Sequence, residues 1–218
     1  MRLLFSLLLL VALGASSCKK HKLKQPAYLN FKWEFFEQQS GTFHPVVTGG
    51  YFYLNQFRVT GTRVEGPPVD IIQALPAEKT SFSAGGNLGL SMDIPIGEYN
   101  EFRVELGVVN EIQPCIVLNG VYNTGASVIP FRVEWGTDEI LTFFPQAAFE
   151  LKKKKDYNVT IGVDVNKLFS TISVADWTDA NITPEPEDMI IISENFNHKL
   201  FSEIKEQIGG ALILKVSE

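Results

Sequence analysis

Apolar and polar residues alternate with a period of two along much of this chain, which restricts it to an architecture of half-buried strands. Leu29, Phe31, Trp33 and Phe35 alternate with Asn30, Lys32 and Glu34. Phe102, Val104, Leu106 and Val108 alternate with Glu101, Arg103 and Glu105. Tyr157, Val159, Ile161, Val163 and Val165 alternate with Asn158, Thr160, Gly162 and Asp164. Shorter cases are Leu88, Leu90 and Met92, then Phe131, Val133 and Trp135, then Leu212, Leu214 and Val216; residues 51–64 form an aromatic and β-branched run. Successive strand side chains point to opposite faces, so each segment offers one apolar face to a core. Turn formers separate the segments: Gly49-Gly50, Gly66-Pro67-Pro68, Gly85-Gly86-Asn87, Pro95-Ile96-Gly97 and Asn119-Gly120. Short alternating strands with turns between them predict a mainly β chain, a β-sandwich of antiparallel strands.

One C-terminal amphipathic helix accompanies the strands. Phe196, Leu200, Phe201, Ile204 and Ile208 fall at helical spacing, with Lys199, Glu203, Lys205 and Glu206 on other faces. Ser193 is the expected cap and Gly209-Gly210 the expected stop. This helix would cover an end or an open edge of the sheets. A single helical turn is expected near Asn166, a hairpin loop at Gly85-Gly86-Asn87, and a long loop over residues 176–188. Trp33 and Trp135 fall on the apolar phase of their strands and are expected in the core. With 45% apolar and 20% charged residues, the composition is that of a globular protein, and disorder throughout is excluded.

The start of the chain concerns address rather than fold. Met1 and Arg2 precede Leu3 to Leu13, which is apolar apart from Ser6; Gly14, Ala15, Ser16 and Ser17 are small, and Cys18 follows. A charged start, a short apolar core and a small-residue junction make residues 1–17 an export signal. The apolar run is too short for a transmembrane helix, which needs about 20 residues. A cysteine directly after the small residues resembles the lipobox of bacterial lipoproteins, with Ala15 where Leu is commoner. That resemblance implies cleavage before Cys18 and acylation of its thiol. Residues 18–26 would then be a lipidated basic tether, carrying Lys19, Lys20, Lys22 and Lys24, and residues 27–218 the sandwich domain. From Pro26 onward 14 basic residues face all 25 acidic ones. The tether is drawn to an anionic leaflet, while the acidic domain is repelled by it. The same balance excludes a nucleic-acid partner, which requires a basic face.

The chemistry-bearing residues are few. With Cys18 taken by lipid, Cys115, in an apolar stretch, is expected as a buried inert thiol. His21, His44 and His198 stand apart, with no second His or Cys at metal-ligand spacing. Asp176, Asp179, Glu185, Glu187 and Asp188 form the one calcium candidate, read otherwise as a solvated acidic loop. Trp177, beside Asp176, is the candidate for ligand contact, read otherwise as an anchor packed on the sandwich. Lys152 to Lys155 reads as a solvated turn. No nucleophile-elbow, phosphate-loop or zinc-protease motif occurs. Neither a catalytic residue nor a cofactor, other than covalent lipid on Cys18, is expected.

Short segments resemble the MbnP-like (methanobactin-associated periplasmic protein-like) family. They are Tyr51-Phe52-Tyr53-Leu54-Asn55-Gln56-Phe57-Arg58, then Ile94-Pro95-Ile96-Gly97-Glu98-Tyr99 followed by Phe102 to Val108, then Asp164 to Phe169, and Asn195. The resemblance implies a β-sandwich and a link to copper handling. Members of that family carry additional histidines and tryptophans in mid-domain, whereas residues 110–150 here hold no histidine and only Trp135; no metal ligand is carried over. The hairpin is also similar to uncharacterised lipoproteins of transthyretin-like topology. The resulting expectation is a lipid-anchored, non-enzymatic binding or accessory module of the bacterial envelope. It would sit on the periplasmic side of the outer membrane, with an envelope protein as partner. Copper handling and carbohydrate binding or turnover are the alternatives.

Overall fold

The structure, a computed structural model, describes residues 26–109, 114–136, 140–184 and 188–218. Cys18, the tether up to residue 25, Glu185 and Glu187 lie outside the described residues.

Two sheets pack face to face. The smaller is ordered β12-β10-β1-β4, from β1 (Ala27–Phe36), β4 (Asn87–Ile94), β10 (Asp156–Asp164) and β12 (Leu212–Ser217). The larger runs β11-β7-β6-β2-β5-β8, from β2 (Pro45–Arg63), β5 (Gly97–Val108), β6 (Ile116–Asn123), β7 (Val128–Trp135), β8 (Ile140–Phe143) and β11 (Ile190–Ile192). Two further strands join it: β3 (Val69–Phe82) pairs with β2 and β9 (Phe149–Leu151) with β5. The expected sandwich is present, and most pairings are antiparallel. Two are parallel, β1 with β10 and β7 with β11.

The alternation in β1 and β10 does what its period requires. Leu29, Phe31 and Trp33 of β1 and Val159, Ile161 and Val163 of β10 are buried, while Asn30, Lys32 and Thr160 are not. The two inner faces meet through aromatic rings. Phe31 meets Phe57 of β2 edge-to-face at 4.7 Å, and Trp33 reaches Phe52, Phe82 and Phe143 of the larger sheet. Such pairs add to the burial of apolar area, which supplies most of the stabilisation.

Both turns around β4 join different sheets. Gly85-Gly86 carries the chain from β3 in the larger sheet to β4 in the smaller, so it is an inter-sheet corner and not a hairpin loop. Gly85 has φ +68°, a value that favours glycine. Pro95-Ile96 returns the chain to the larger sheet, and the Tyr99 hydroxyl donates to the Pro95 carbonyl at 2.6 Å. Burial pushes the Tyr99 phenol up to about 12.

Among the described residues, three helices close the body. The predicted turn near Asn166 is α1 (Val165–Leu168), capped by Asp164, whose carboxylate accepts from Lys167 N at 2.9 Å. A five-residue helix, α2 (Val174–Thr178), stands where the long loop was expected to begin. The amphipathic helix α3 spans His198–Ala211 and buries Leu200, Phe201 and Ile204. Its start differs from expectation. Ser193 Oγ accepts from the amides of Asn195 and Phe196, closing the turn before the helix, and Phe196 is 54% exposed. Asn197, in the left-handed region at φ +49°, enters α3 instead. Its amide side chain bonds Asn181 and the Ile191 carbonyl, so it is fixed by tertiary contacts. The glycines do not stop α3 either. It runs through Gly209 and Gly210 until Leu212 turns extended and pairs with Val163.

Candidate functional site

Strands β2, β3 and β5 present a groove of about 670 Å³ on the outer face of the larger sheet. Their inward residues, including Phe57, Val59, Val104 and Leu106, are buried, so the alternating positions must face outward. The register sets three rungs across β2 and β5: Arg58 opposite Glu105, Thr60 opposite Arg103, and Thr62 opposite Glu101. On the other side of β2, Asp70 of β3 pairs with Thr60.

Arg58, Asp70, Glu105, Arg103 and Thr60 form one connected network, and Thr62 and Glu101 a separate pair beside it. The Arg58 guanidinium grips Asp70 through Nε and Nη2, both at 2.8 Å, and reaches Glu105 Oε2 through Nη1 at 3.4 Å. Arg103 Nε donates to Thr60 Oγ1 at 2.7 Å and lies 3.0 Å from Glu105 Oε1. Thr62 Oγ1 donates to Glu101 Oε2 at 3.2 Å. Glu105, only 8% exposed, thus bridges both arginines, which is what a nearly buried carboxylate requires. The Nη groups of Arg103 make no hydrogen bond among the described residues. Phe144 completes the rim. Phe143 of β8 sits opposite Val104 and is buried, so the next residue emerges on the outer face, where the Phe144 ring is 59% exposed.

The Arg58–Asp70 contact favours the charged form of both partners. The hydrogen bonds from Arg58 hold the Asp70 carboxyl below its usual range, against an opposing effect of burial, and the same contact raises Arg58. Glycoside hydrolysis needs a carboxylic acid with a raised pKa. Asp70 is shifted the other way.

The sequence candidates sit elsewhere. Trp177 is not in a loop: it lies in α2, is 3% exposed, stacks on Tyr122 at 4.7 Å, and meets Phe131 and Phe169. Its ring is an anchor within the core and offers no exposed platform. Trp33 and Trp135 are core residues as expected, and Cys115 is buried, with Sγ 3.5 Å from the Trp135 carbonyl. The lysine run lies in the turn between β9 and β10, where Lys152 and Lys155 face Glu218.

Within the calcium candidate, Asp176 is already engaged. Its carboxylate accepts from Ser173 N at 3.0 Å and Ser173 Oγ at 2.6 Å in a capping box, and pairs with Lys199 of α3. Asp179 ends α2 as its C-cap. Among the described residues, no group of three or more His, Cys, Asp or Glu side chains could hold a metal ion.

The Asp176 contact gives a pH dependence. The hydrogen bond from Lys199, followed by those from Ser173, holds Asp176 at about 2 against an ordinary 3.8. A depressed carboxylate stabilises the fold fully above about 3.8 and loses that contribution as pH falls towards about 2. The urea midpoint of Asp176→Asn is therefore expected to fall below wild type at neutral pH and to converge with it in acid. A difference that persists unchanged to the acid limit would contradict this origin.

The groove residues were missed as a set because the network exists only through the β2–β5 register. The one trace in the sequence is the polar phase Glu101, Arg103, Glu105. Fold and site together define a two-sheet β-sandwich protein with an arginine–carboxylate groove on its larger sheet. Comparison with family models, curated proteins and solved structures finds no match to this chain.

Proposed function

We propose that this protein is a lipid-anchored, non-enzymatic binding or accessory module of the bacterial cell envelope, attached through Cys18 on the periplasmic side of the outer membrane. The observation that carries the reading is the leader of residues 1–17 running directly into Cys18, Lys19 and Lys20. Acyl chains contribute about 0.8 kcal/mol per buried CH₂, and more than one chain gives stable attachment. The lysines add attraction to an anionic leaflet, and the acidic domain stands off it. The groove supports the non-enzymatic part, because Asp70 and the adjoining Glu105 are paired with arginine and Asp70 is held in its charged form. Copper handling, the alternative implied by family resemblance, has no specific observation in its favour among the described residues.

The test is the intact mass of the protein purified from membranes, with Cys18→Ala beside it. The wild-type chain is expected to begin at Cys18 and to carry acyl mass. The variant is expected to lose that mass and to leave the membrane fraction. A bare Cys18, or a leader still attached, overturns the anchor. Protease treatment of intact cells reads the orientation, and rapid loss of the domain would place it on the outside.

A further inference from the structure

We infer that the outer groove of the larger sheet is a binding site for a neutral oligosaccharide. This deepens the binding-module reading by naming its ligand class. The inference rests on what the groove offers a visitor once its internal bonds are counted. Arg58 is spent on Asp70 and Glu105. Among the described residues Arg103 has committed only Nε, which leaves both Nη groups as donors. Glu101 has one carboxylate oxygen bound by Thr62 and a second available to accept. Beside them stands Phe144, 59% exposed, on the same outer face and next to the strand position opposite Val104.

Charge selects among ligands. Four charged side chains line the groove, Arg58 and Arg103 against Asp70 and Glu101, so its wall is electrically balanced and an anion finds no excess of positive charge. A cation meets Arg103. An apolar ligand would strip water from ionised groups without replacing their hydrogen bonds. A sugar hydroxyl both donates and accepts, so neighbouring hydroxyls can lie between the Arg103 donors and the Glu101 acceptor. The C–H face of a pyranose ring can pack on the Phe144 ring. The volume of about 670 Å³ lies within the range of small-molecule sites, about 300–1,000 Å³. Network bonds fix the polar groups before the ligand arrives, which lowers the ordering cost of binding. The source of the glycan is either a free oligosaccharide or the sugar portion of an envelope glycolipid.

The experiment uses the full mature chain in detergent, with panels of short neutral and of uronic-acid-containing oligosaccharides, read by saturation-transfer NMR and calorimetry. At least one neutral sugar is expected to bind, and Phe144→Ala is expected to weaken it about tenfold, the loss of one stacking face. Arg103→Ala should weaken it similarly, and Lys153→Ala, remote from the groove, should leave it unchanged. Should Arg103→Ala disturb the fold, as near-UV circular dichroism would show, the exposed Phe144 decides. Competition by solubilised glycolipid distinguishes the two sources, and binding of either supports the site. Three results overturn it: no neutral sugar bound at millimolar concentration, acidic sugars bound more tightly, or binding indifferent to Phe144→Ala. Lipid on Cys18 is read separately by mass. Sugar binding by an unlipidated chain refutes the anchor alone, and a lipidated chain that binds no sugar refutes this site alone.

Discussion

Replacing Trp33 with alanine is expected to remove about 3–5 kcal/mol of folding stability, the range for deleting a large buried aromatic. Trp33 is 1% exposed and sits where the two sheets meet. Its ring lies 4.4 Å from Phe82, 5.6 Å from Phe52 and 6.2 Å from Phe143, three residues from three different strands of the larger sheet. Phe35 flanks it on its own strand at 6.3 Å. Alanine would leave a void that these neighbours cannot close without shifting both sheets. Phenylalanine separates packing from polarity. The Trp33 indole N–H has no hydrogen-bond partner among the described residues, so its removal forfeits no bond. An orphaned buried donor costs about 1–3 kcal/mol, which offsets part of the lost ring volume. Trp33→Phe is therefore expected to cost far less than Trp33→Ala. Urea denaturation followed by circular dichroism measures both, and equal losses in the two variants would show that packing between the sheets is not what Trp33 supplies.

That residue was legible in the sequence, and the reason marks how far sequence reading carries here. Trp33 lies in a strand with one apolar face, where a period of two names the buried positions directly. The same holds for β5, β7 and β10. It is blurred for β3, which reads Val69-Asp70-Ile71-Ile72-Gln73-Ala74-Leu75-Pro76: Val69, Ile71 and Leu75 share one phase, but Gln73 interrupts it and Ile72 and Ala74 stand on the other. Among the described strands β3 pairs with β2; Val69, Ile71 and Leu75 pack on the core while Ile72 is exposed on the other face, so the pairing with β2 and not the pattern alone fixes its place. Pro76, which argues against a central strand, sits at the irregularity where the register with β2 shifts between Leu54 and Gln56. The short strands β8, β9 and β11 are likewise fixed by their partners.

The ends of α3 show the same division. The sequence carries the helical face of Leu200, Phe201 and Ile204. The boundaries belong to tertiary structure: Asn197 bonding residues 181 and 191, and Leu212 drawn into pairing with Val163. The groove is the extreme case. Arg58, Asp70, Arg103 and Glu105 lie on three strands, and Arg58 is 47 residues from Glu105 in the chain. No local spacing announces them. Trp177 is the converse, a residue that local context placed in an acidic loop and that three aromatic neighbours hold inside.

Gly162→Ala is expected to cost about 3 kcal/mol, the upper part of the range for overpacking, because the obstacle is backbone and not a movable side chain. Gly162 sits in β10 directly opposite Glu34 of β1 in the parallel pair. A Cβ there would overlap the Glu34 carbonyl oxygen and lie 2.8 Å from its carbonyl carbon. Both strands are central in the smaller sheet, held on their far sides by β4 and β12, so neither can move aside alone. The strand pair must therefore separate or slip, and a slip by one residue would turn the buried faces of Phe31 and Ile161 outward. Gly209→Ala supplies the opposite sign. Gly209 lies inside α3, a Cβ there meets nothing within 4 Å, and its φ is not in the left-handed region. Alanine at such a site restricts the unfolded chain and stabilises the helix by about 0.5–1 kcal/mol. The two substitutions are chemically identical, so opposite shifts in the urea midpoint would isolate the β1–β10 close approach as the cause. A tolerated Gly162→Ala would mean that the two strands do not pair in this register.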